Sequence, residues 1–335
     1  MMETKPISPI STEAPLASLA TQGDTGPLAT TALVDTSIQI ERLKTTDAAG
    51  RAEKLVRSFA FSATSSFALL EFKGSWLQDL VLLHRYASES ETLADVQDKV
   101  NKLASVRQSY RRVQRLLAQI AGFLRLEDPN TTLAVAVVKL RAHLATSISG
   151  SWQRWNRSVT HHFDGTGCVR AKEALVRSQA NGRFDVCVPD CKPGKVECQI
   201  EQFFAQHMCM FRRIAEAIEK LGQSASAELK AARGFIRQAE KKPDVLHDSR
   251  ICRKIGDILI AVDGERMGTF IANNDNEWVP IARALGKALV NPVNKTSHDF
   301  SVPHHQGPSE QSGEYISIRQ ARTAESRKFP EGKAL

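Results

Sequence analysis

The sequence has no apolar stretch long enough to cross a membrane. Its best apolar run, Leu133 to Val138, is far shorter than the roughly 18 residues that a membrane-spanning helix needs. The first residues, Met1 to Pro6, also lack the basic flank and apolar core of a signal peptide. These absences predict a protein that makes no membrane contact and remains in the cytoplasm.

Cysteine is scarce and does not occur in paired Cys-x-x-Cys motifs. In a cytoplasmic chain, the six cysteines are expected to be reduced thiols or metal ligands rather than disulfides. The turn-rich segment Cys187 to Cys191 is followed by Cys198, and His207 or Cys168 could complete a set of four ligands for structural Zn²⁺. Cysteines that only pack in the core are the alternative interpretation.

Basic residues exceed acidic ones, and the net charge of the 335 residues is +8. This excess favours polyanionic partners, with nucleic acid first among them. Two groups of arginines lie near aromatic residues, a pattern that can hold phosphates and stack on bases. These candidate nucleic-acid-binding residues are Arg111, Arg112, Arg115, Arg154 and Arg157. The alternative interpretation is a solvated helix face for the first group and a helix-packing edge for the tryptophans of the second.

Composition and periodicity divide the chain into segments. The Ser-, Thr- and Pro-rich residues 1–28 and 293–335 are predicted to be a disordered leader and a disordered tail. Residues 29–74 and 246–292 alternate short apolar runs with helical patterns, which is typical of an α/β sheet. Residues 75–245 are mostly helical in pattern and contain a Cys-rich segment at 161–209. We therefore predict an α/β domain, with a short parallel sheet flanked by helices, interrupted by a large helical insertion.

The two flanking segments contain recognisable local elements. Ser65 or Ser66 is expected to cap a helix that carries Glu71. The other expected elements are strands at Thr31–Val34, Phe61–Ser66 and Gly268–Ala272, and helices at Arg51–Phe59, Ile255–Val262 and Val279–Leu289.

Acidic or amide residues follow or open several of these apolar runs. They are Asp35, Glu71, Asp257 and Asn274, with Asp275 as a neighbour and substitute for Asn274. The settings are Val34-Asp35-Thr36-Ser37, Ser65-Ser66-Phe67-Ala68-Leu69-Leu70-Glu71, Gly256-Asp257-Ile258-Leu259-Ile260-Ala261 and Ile271-Ala272-Asn273-Asn274-Asp275. Taken together and in this order, they resemble the PIN domain, a family of metal-dependent ribonucleases that includes many bacterial toxins.

The resemblance implies that Asp35, Glu71 and Asp257 bind Mg²⁺ or Mn²⁺ at the carboxyl ends of the parallel strands. Asn274 or Asp275 would complete the site, and a hydroxyl at Thr36 or Ser37 would orient the first carboxylate. Such a site hydrolyses RNA with an activated water and needs no serine or histidine nucleophile. The resemblance also implies a neutralising or scaffolding protein partner, as PIN toxins often have, and it leaves DNA and flap substrates open.

Two other functions remain compatible with the sequence. A PIN-like scaffold without activity could bind RNA or protein through its helical insertion. A zinc-stabilised helical interaction protein, in which the acids are incidental, is the second alternative.

Overall fold

The structure of the protein is a computed structural model that describes residues 31–44, 46–105, 110–157, 159–168, 176–178, 182, 184–186 and 198–301. The predicted leader at 1–28 and most of the predicted tail lie outside the described residues. Within these ranges, no helix combines the length and the apolar character needed to cross a bilayer.

A mixed, mostly parallel sheet of six strands forms the centre of the fold. Its strands are β1 (Thr31–Val34), β2 (Phe61–Ser65), β3 (His161–Phe163), β6 (Thr269–Ile271), β7 (Ala288–Asn291) and β8 (Thr296–His298). They lie in the order β3-β2-β1-β6-β7-β8, and only the β7–β8 pair is antiparallel. Two further strands, β4 (Val176–Ser178) and β5 (Phe184–Val186), form a separate antiparallel pair.

Helices lie before, between and after these strands in the sequence. The helices before β3 are α1 (Thr36–Glu41), α2 (Asp47–Ser58), α3 (Ser66–Phe72), α4 (Gln78–Ser88), α5 (Leu93–Lys102), α6 (Tyr110–Leu124) and α7 (Leu133–Arg157). A π-helical turn, Lys73–Leu77, joins α3 to α4. The later helices are α8 (Ile200–Gln206), α9 (Met208–Lys220), α10 (Ala227–Lys241), α11 (Ser249–Lys254), α12 (Gly256–Asp263) and α13 (Asp275–Leu285).

Strand β1 is buried because helices cover both faces of the sheet. Its side chains alternate between the faces, so Leu33 packs in one apolar core while Ala32 and Val34 pack in another. This two-sided burial explains why the strand is a continuous apolar run in the sequence. The central strands therefore provide a rigid base for the residues that follow their carboxyl ends.

The helices α4 to α7 build a separate apolar core of their own. It contains Leu80 and Leu83 from α4, Val100 from α5, Leu116 from α6 and Leu140 from α7. The spacing of these residues matches the helical periodicity that the sequence shows in this region. This part of the chain accordingly buries its own apolar surface instead of relying only on the sheet.

The structure differs from the sequence-based predictions near the end of the chain. The last helix begins at Asp275 rather than Val279, and it ends at Leu285 because Gly286 adopts a left-handed conformation with φ 66°. Strand β8 extends the sheet into the region predicted to be a disordered tail. Short strands of this kind carry little local signal because a distant partner strand defines them.

Strand β3 is a second difference. It lies within the predicted helical insertion, yet it pairs in parallel with β2 and forms one edge of the main sheet. With only three residues, two of them histidines, it shows no apolar pattern that could mark it as a strand. Residues 75–245 therefore contribute to the sheet as well as to the helical core.

Candidate metal centre

The order of the strands reverses around β1, which has β2 on one side and β6 on the other. The chain leaves the carboxyl end of β1 toward β2, whereas the connection that follows β6 leads to β7 on the opposite side. In open α/β sheets, connections that diverge in this way leave a crevice beyond the carboxyl ends of the strands. Asp35, the residue directly after β1, lies at this position.

Asp35 is held in place by its neighbour Ser37. One carboxylate oxygen, Oδ2, accepts hydrogen bonds from the Ser37 backbone N–H at 3.0 Å and from the Ser37 hydroxyl group. The side chain thereby caps helix α1. The other oxygen, Oδ1, is buried and accepts no hydrogen bond from the described residues. A buried carboxylate oxygen without a donor is costly, so this atom is suited to bind a cation.

Glu71 approaches Asp35 from helix α3. The Ser65 side chain caps this helix by accepting a hydrogen bond from the Phe67 backbone N–H at 3.1 Å, as the sequence predicts. The Thr36 hydroxyl donates to Glu71 Oε2 at 2.7 Å. The two consecutive hydroxyl residues after Asp35 therefore orient different acids: Thr36 orients Glu71, and Ser37 orients Asp35.

Asp257 completes the group from the first turn of helix α12. Asp35, Glu71 and Asp257 each offer a carboxylate oxygen, and these oxygens lie within 4.8 Å of one another. Among the described residues, this is the one group of three or more acids, histidines or cysteines that is close enough to share a metal ion. The structure thus brings together three residues from distant parts of the sequence.

Helices α3 and α12 lie side by side and run in opposite directions. At one end Glu71 lies near Asp257, and at the other the Ser65 hydroxyl donates to Asp263 Oδ2 at 2.6 Å. The Gly165 backbone N–H donates to Asp263 Oδ1 at 2.9 Å. Burial raises the pKa of Asp263 to about 6 despite these hydrogen bonds. The hydrogen bond from Ser65 to Asp263 ties the start of α3 to the end of α12 and thereby helps to position the acids that the two helices carry.

Gly256 allows Glu71 to approach Asp257 closely. A Cβ atom at this position would overlap Glu71 Oε1 and would stand 3.2 Å from Cε1 of Phe67. The Glu71 carboxylate occupies the space where a Cβ atom of residue 256 would lie. Glycine, which has no Cβ atom, leaves that space open.

We expect the Gly256→Ala substitution to weaken Mn²⁺ binding about tenfold or more, because the new methyl group displaces the Glu71 carboxylate. The free energy of unfolding should change by less than about 1 kcal/mol, because the displaced atoms belong to the end of a flexible side chain. Isothermal titration calorimetry and urea denaturation measure the two quantities.

The matched control is Gly74→Ala. Gly74 lines the same cavity, but a Cβ atom there meets no atom within 4 Å. This variant should bind Mn²⁺ like the wild type. Equal affinities for the two alanine variants would contradict the role assigned to Gly256.

The acids face an open cavity of about 410 Å³. Apolar side chains, among them Phe67, Leu70 and Trp278, form part of its wall. Because apolar walls hydrate charge poorly, a cation in this cavity would interact strongly with the acids.

The acids themselves are difficult to ionise together. Burial is the main cause that raises the pKa of Glu71 to about 8, and the charge of Asp35 adds to it. Burial also raises the pKa of Asp35 and, together with the nearby acids, raises the pKa of Asp257 well above its ordinary value. A divalent cation would remove this conflict by offsetting the clustered negative charge. Carboxylate oxygens are the ligands that Mg²⁺ and Mn²⁺ prefer.

The fourth acid at this site is Glu277, which the sequence-based prediction missed. Glu277 lines the cavity from the first turn of α13, and its carboxyl group forms a hydrogen bond with Asp257. Asn274, the N-cap of the same helix, also lines the cavity. The sequence did contain a signal for Glu277: it follows Asn274 by three positions, and residues spaced i, i+3 share one face of a helix.

Asp275 does not take the position predicted for it. Its carboxylate accepts hydrogen bonds from Asn291 Nδ2 at 2.9 Å and from the Thr296 hydroxyl at 2.8 Å. These partners lie on β7 and β8, so Asp275 connects α13 to the edge of the sheet. Adjacent helical residues point in directions about 100° apart, and Asp275 therefore cannot substitute for Asn274.

The predicted zinc site is only partly covered by the structure. Cys187 and Cys191 lie outside the described residues. Cys198 is partly exposed, and His207 Nδ1 lies 2.9 Å from the Phe203 carbonyl oxygen. Within the described ranges, these two residues belong to no group of three potential ligands. Structural zinc therefore stays a prediction.

The predicted basic residues divide into two sets. Arg112 and Arg115 both form ion pairs with the buried Asp79, at 2.7 Å and 2.8 Å, and so stabilise the packing of α6 against α4. This packing role was not predicted from the sequence. Arg111 forms an exposed ion pair with Glu228 at 3.5 Å.

Arg154 and Arg157 are exposed near the end of α7. Their predicted contact with nucleic acid stays a prediction, because no described feature of α7 indicates a ligand.

No protein-family model matches the chain, and neither a curated protein nor a solved structure matches it.

Proposed function

We propose that the chain is a Mg²⁺- or Mn²⁺-dependent ribonuclease of PIN-like type. The observation that carries this proposal is the convergence of Asp35, Glu71 and Asp257 in one cavity at the carboxyl ends of the central strands. The unpartnered Asp35 Oδ1 supports it, because a buried oxygen without a donor fits a cation better than it fits a purely structural role.

Asp35, Glu71 and Asp257 would hold the metal, and Asn274 and Glu277 would support it from helix α13. The bound ion would supply Lewis-acid chemistry, which activates water and neutralises charge on a phosphate. Thr36 and Ser37 keep the carboxylates in position before the ion binds. The surrounding apolar side chains reduce hydration of the site.

Positive charge on the chain as a whole supports a nucleic acid as the substrate. The net charge is +8 although several acids cluster at the site. RNA is favoured over DNA by the resemblance of the acidic settings to PIN ribonucleases. A neutralising or scaffolding protein partner belongs to the same proposal and rests on that resemblance alone.

The test is cleavage of a fluorescein-labelled single-stranded RNA, and of DNA with the same sequence, in the presence of Mg²⁺, Mn²⁺ or EDTA. We expect RNA products with Mg²⁺ or Mn²⁺ and none with EDTA. An Asp257→Asn variant purified in parallel controls for contaminating nucleases and should be inactive. Absence of cleavage by both proteins would favour the inactive scaffold that the sequence left open.

A further inference from the structure

Arg253 lines the same cavity as the four acids, and the sequence analysis did not single it out. It lies near the end of α11, four positions before Asp257. Its side chain is exposed and forms no ion pair with any described residue. An arginine that stays unpaired beside several carboxylates has its guanidinium group available for a ligand.

The charges of the cavity show why such a ligand would be an anion. Asp35, Glu71, Asp257 and Glu277 carry up to four negative charges when ionised, whereas one divalent cation brings two positive ones. A phosphodiester that enters the cavity adds more negative charge. Among the described residues that line the cavity, Arg253 is the only one with a positive charge.

The chemistry of arginine fits a phosphate in particular. The guanidinium group presents its N–H donors in a planar fork that matches two oxygens of a phosphate group. Helix α11 ends at Lys254 and α12 begins at Gly256, so Arg253 and Asp257 belong to different helices that are separated only by Ile255. Both residues line one cavity, so a group held by Arg253 lies beside the acidic cluster rather than within it.

We propose that Arg253 binds a phosphate of the RNA strand next to the phosphate that is cleaved, and this proposal rests on the ribonuclease function above. Arg253 holds the strand across the cavity, so that the neighbouring phosphate would lie beside the acids that would hold the metal. It thereby offsets the repulsion between the RNA backbone and the acidic cluster.

The test measures binding of a fluorescein-labelled single-stranded RNA by fluorescence anisotropy in an Asp35→Asn background, which prevents cleavage during the measurement. Adding Arg253→Gln should raise Kd about tenfold. It should also lower the slope of log Kd against log salt concentration by about 0.7, the value for one phosphate contact in a single strand. Arg253→Lys should restore the slope but only part of the affinity, because lysine lacks the planar fork.

Lys254→Gln is the matched control, because it removes the same charge from the adjacent exposed position, which does not line the cavity. It should change Kd and the salt slope less than Arg253→Gln does. Equal effects of the two glutamine variants, or no detectable RNA binding in this background, would overturn the role of Arg253. Failure of the proposed function appears separately, as absence of RNA cleavage by the wild type with Mg²⁺ or Mn²⁺, or as cleavage that neither EDTA nor Asp257→Asn abolishes.

Discussion

Replacing Asp35 with asparagine will abolish Mn²⁺ binding and reduce RNA cleavage at least about 100-fold, since a metal ion supplies several kcal/mol of transition-state stabilisation. The same substitution will raise the free energy of unfolding of the metal-free protein. A loss of activity combined with a gain of stability is expected when a residue is retained for function at the expense of folding.

The gain in stability follows from the surroundings of Asp35. Its Oδ2 accepts hydrogen bonds from Ser37, and the side-chain oxygen of asparagine can accept the same bonds. The amide nitrogen then replaces the unpartnered Oδ1 and faces the neighbouring carboxylates as a donor. One source of repulsion thus becomes a hydrogen bond, which should stabilise the protein by on the order of 1 kcal/mol.

Asp275→Asn is the matched control, because it makes the same chemical change at a carboxylate that does not line the cavity, although it directly follows Asn274. It weakens the hydrogen bonds with Asn291 and Thr296. This variant should retain cleavage within about threefold and lose about 1 kcal/mol of stability. The assays are Mn²⁺ titration calorimetry, RNA cleavage and urea denaturation. Cleavage by Asp35→Asn at the wild-type rate would contradict the proposed site.

Raising the pH will destabilise the metal-free protein through its acidic cluster. Burial, followed by the charge of Asp35, raises the pKa of Glu71 from 4.5 to about 8. The folded state therefore retains this proton at a pH where the unfolded state has lost it. The contribution of Glu71 to stability is complete below pH 4.5 and is lost as the pH rises toward about 8. Its size is a few kcal/mol, because each pKa unit corresponds to about 1.4 kcal/mol.

A comparison with Glu71→Gln separates the contribution of Glu71, together with its effect on Asp257, from titrating groups elsewhere in the protein. Burial lowers the pKa of His84 and His162, and their contributions to stability change in the opposite direction, rising with pH. Both histidines are present in the variant, so their contributions cancel in the difference. The wild type should lose more stability than Glu71→Gln between pH 5 and pH 8. Equal losses in urea denaturation would show that Glu71 is ionised without cost in the folded protein.

Saturating Mn²⁺ should reverse this pH dependence. The metal binds ionised carboxylates, so its affinity and the increase in Tm that it causes will be larger at pH 8 than at pH 5. At a free Mn²⁺ concentration one hundred times Kd, the stabilisation is about 2.7 kcal/mol. An equal increase in Tm at both pH values would place Mn²⁺ outside the acidic cluster.

Much of the local structure was predictable because the relevant signals lie close together in the sequence. The apolar run before Asp35 indicates β1, the hydroxyl of Ser65 indicates the start of α3, and the apolar segment after Asp257 indicates α12. Each of these elements depends on burial of its own side chains or on a cap within a few residues. The helical periodicity of the middle region was informative for the same reason.

The features that the sequence did not indicate occur where a distant partner decides the structure. Strand β3 exists because β2 offers it an edge, and β8 exists because β7 does. The ion pairs of Arg112 and Arg115 with the buried Asp79 were not predicted, because Asp79 lies on another helix, and the contact of these arginines with RNA stays a prediction. Glu277 was missed although its spacing of three positions from Asn274 places both on one side of α13, because only the packing of α13 against α12 shows that this side faces the acids.

The sequence by itself indicated β1, β2, β6 and the helices that carry Glu71 and Asp257, and it presented three acids next to these elements. Only the tertiary structure decided that Asp35, Glu71 and Asp257 meet, that Glu277 joins them and that Asp275 faces away. The physical reason is that propensities and caps act over a few residues. The meeting of Glu71 with Asp257 depends instead on the packing of α3 against α12, including the bond from Ser65 to Asp263 and the space left at Gly256.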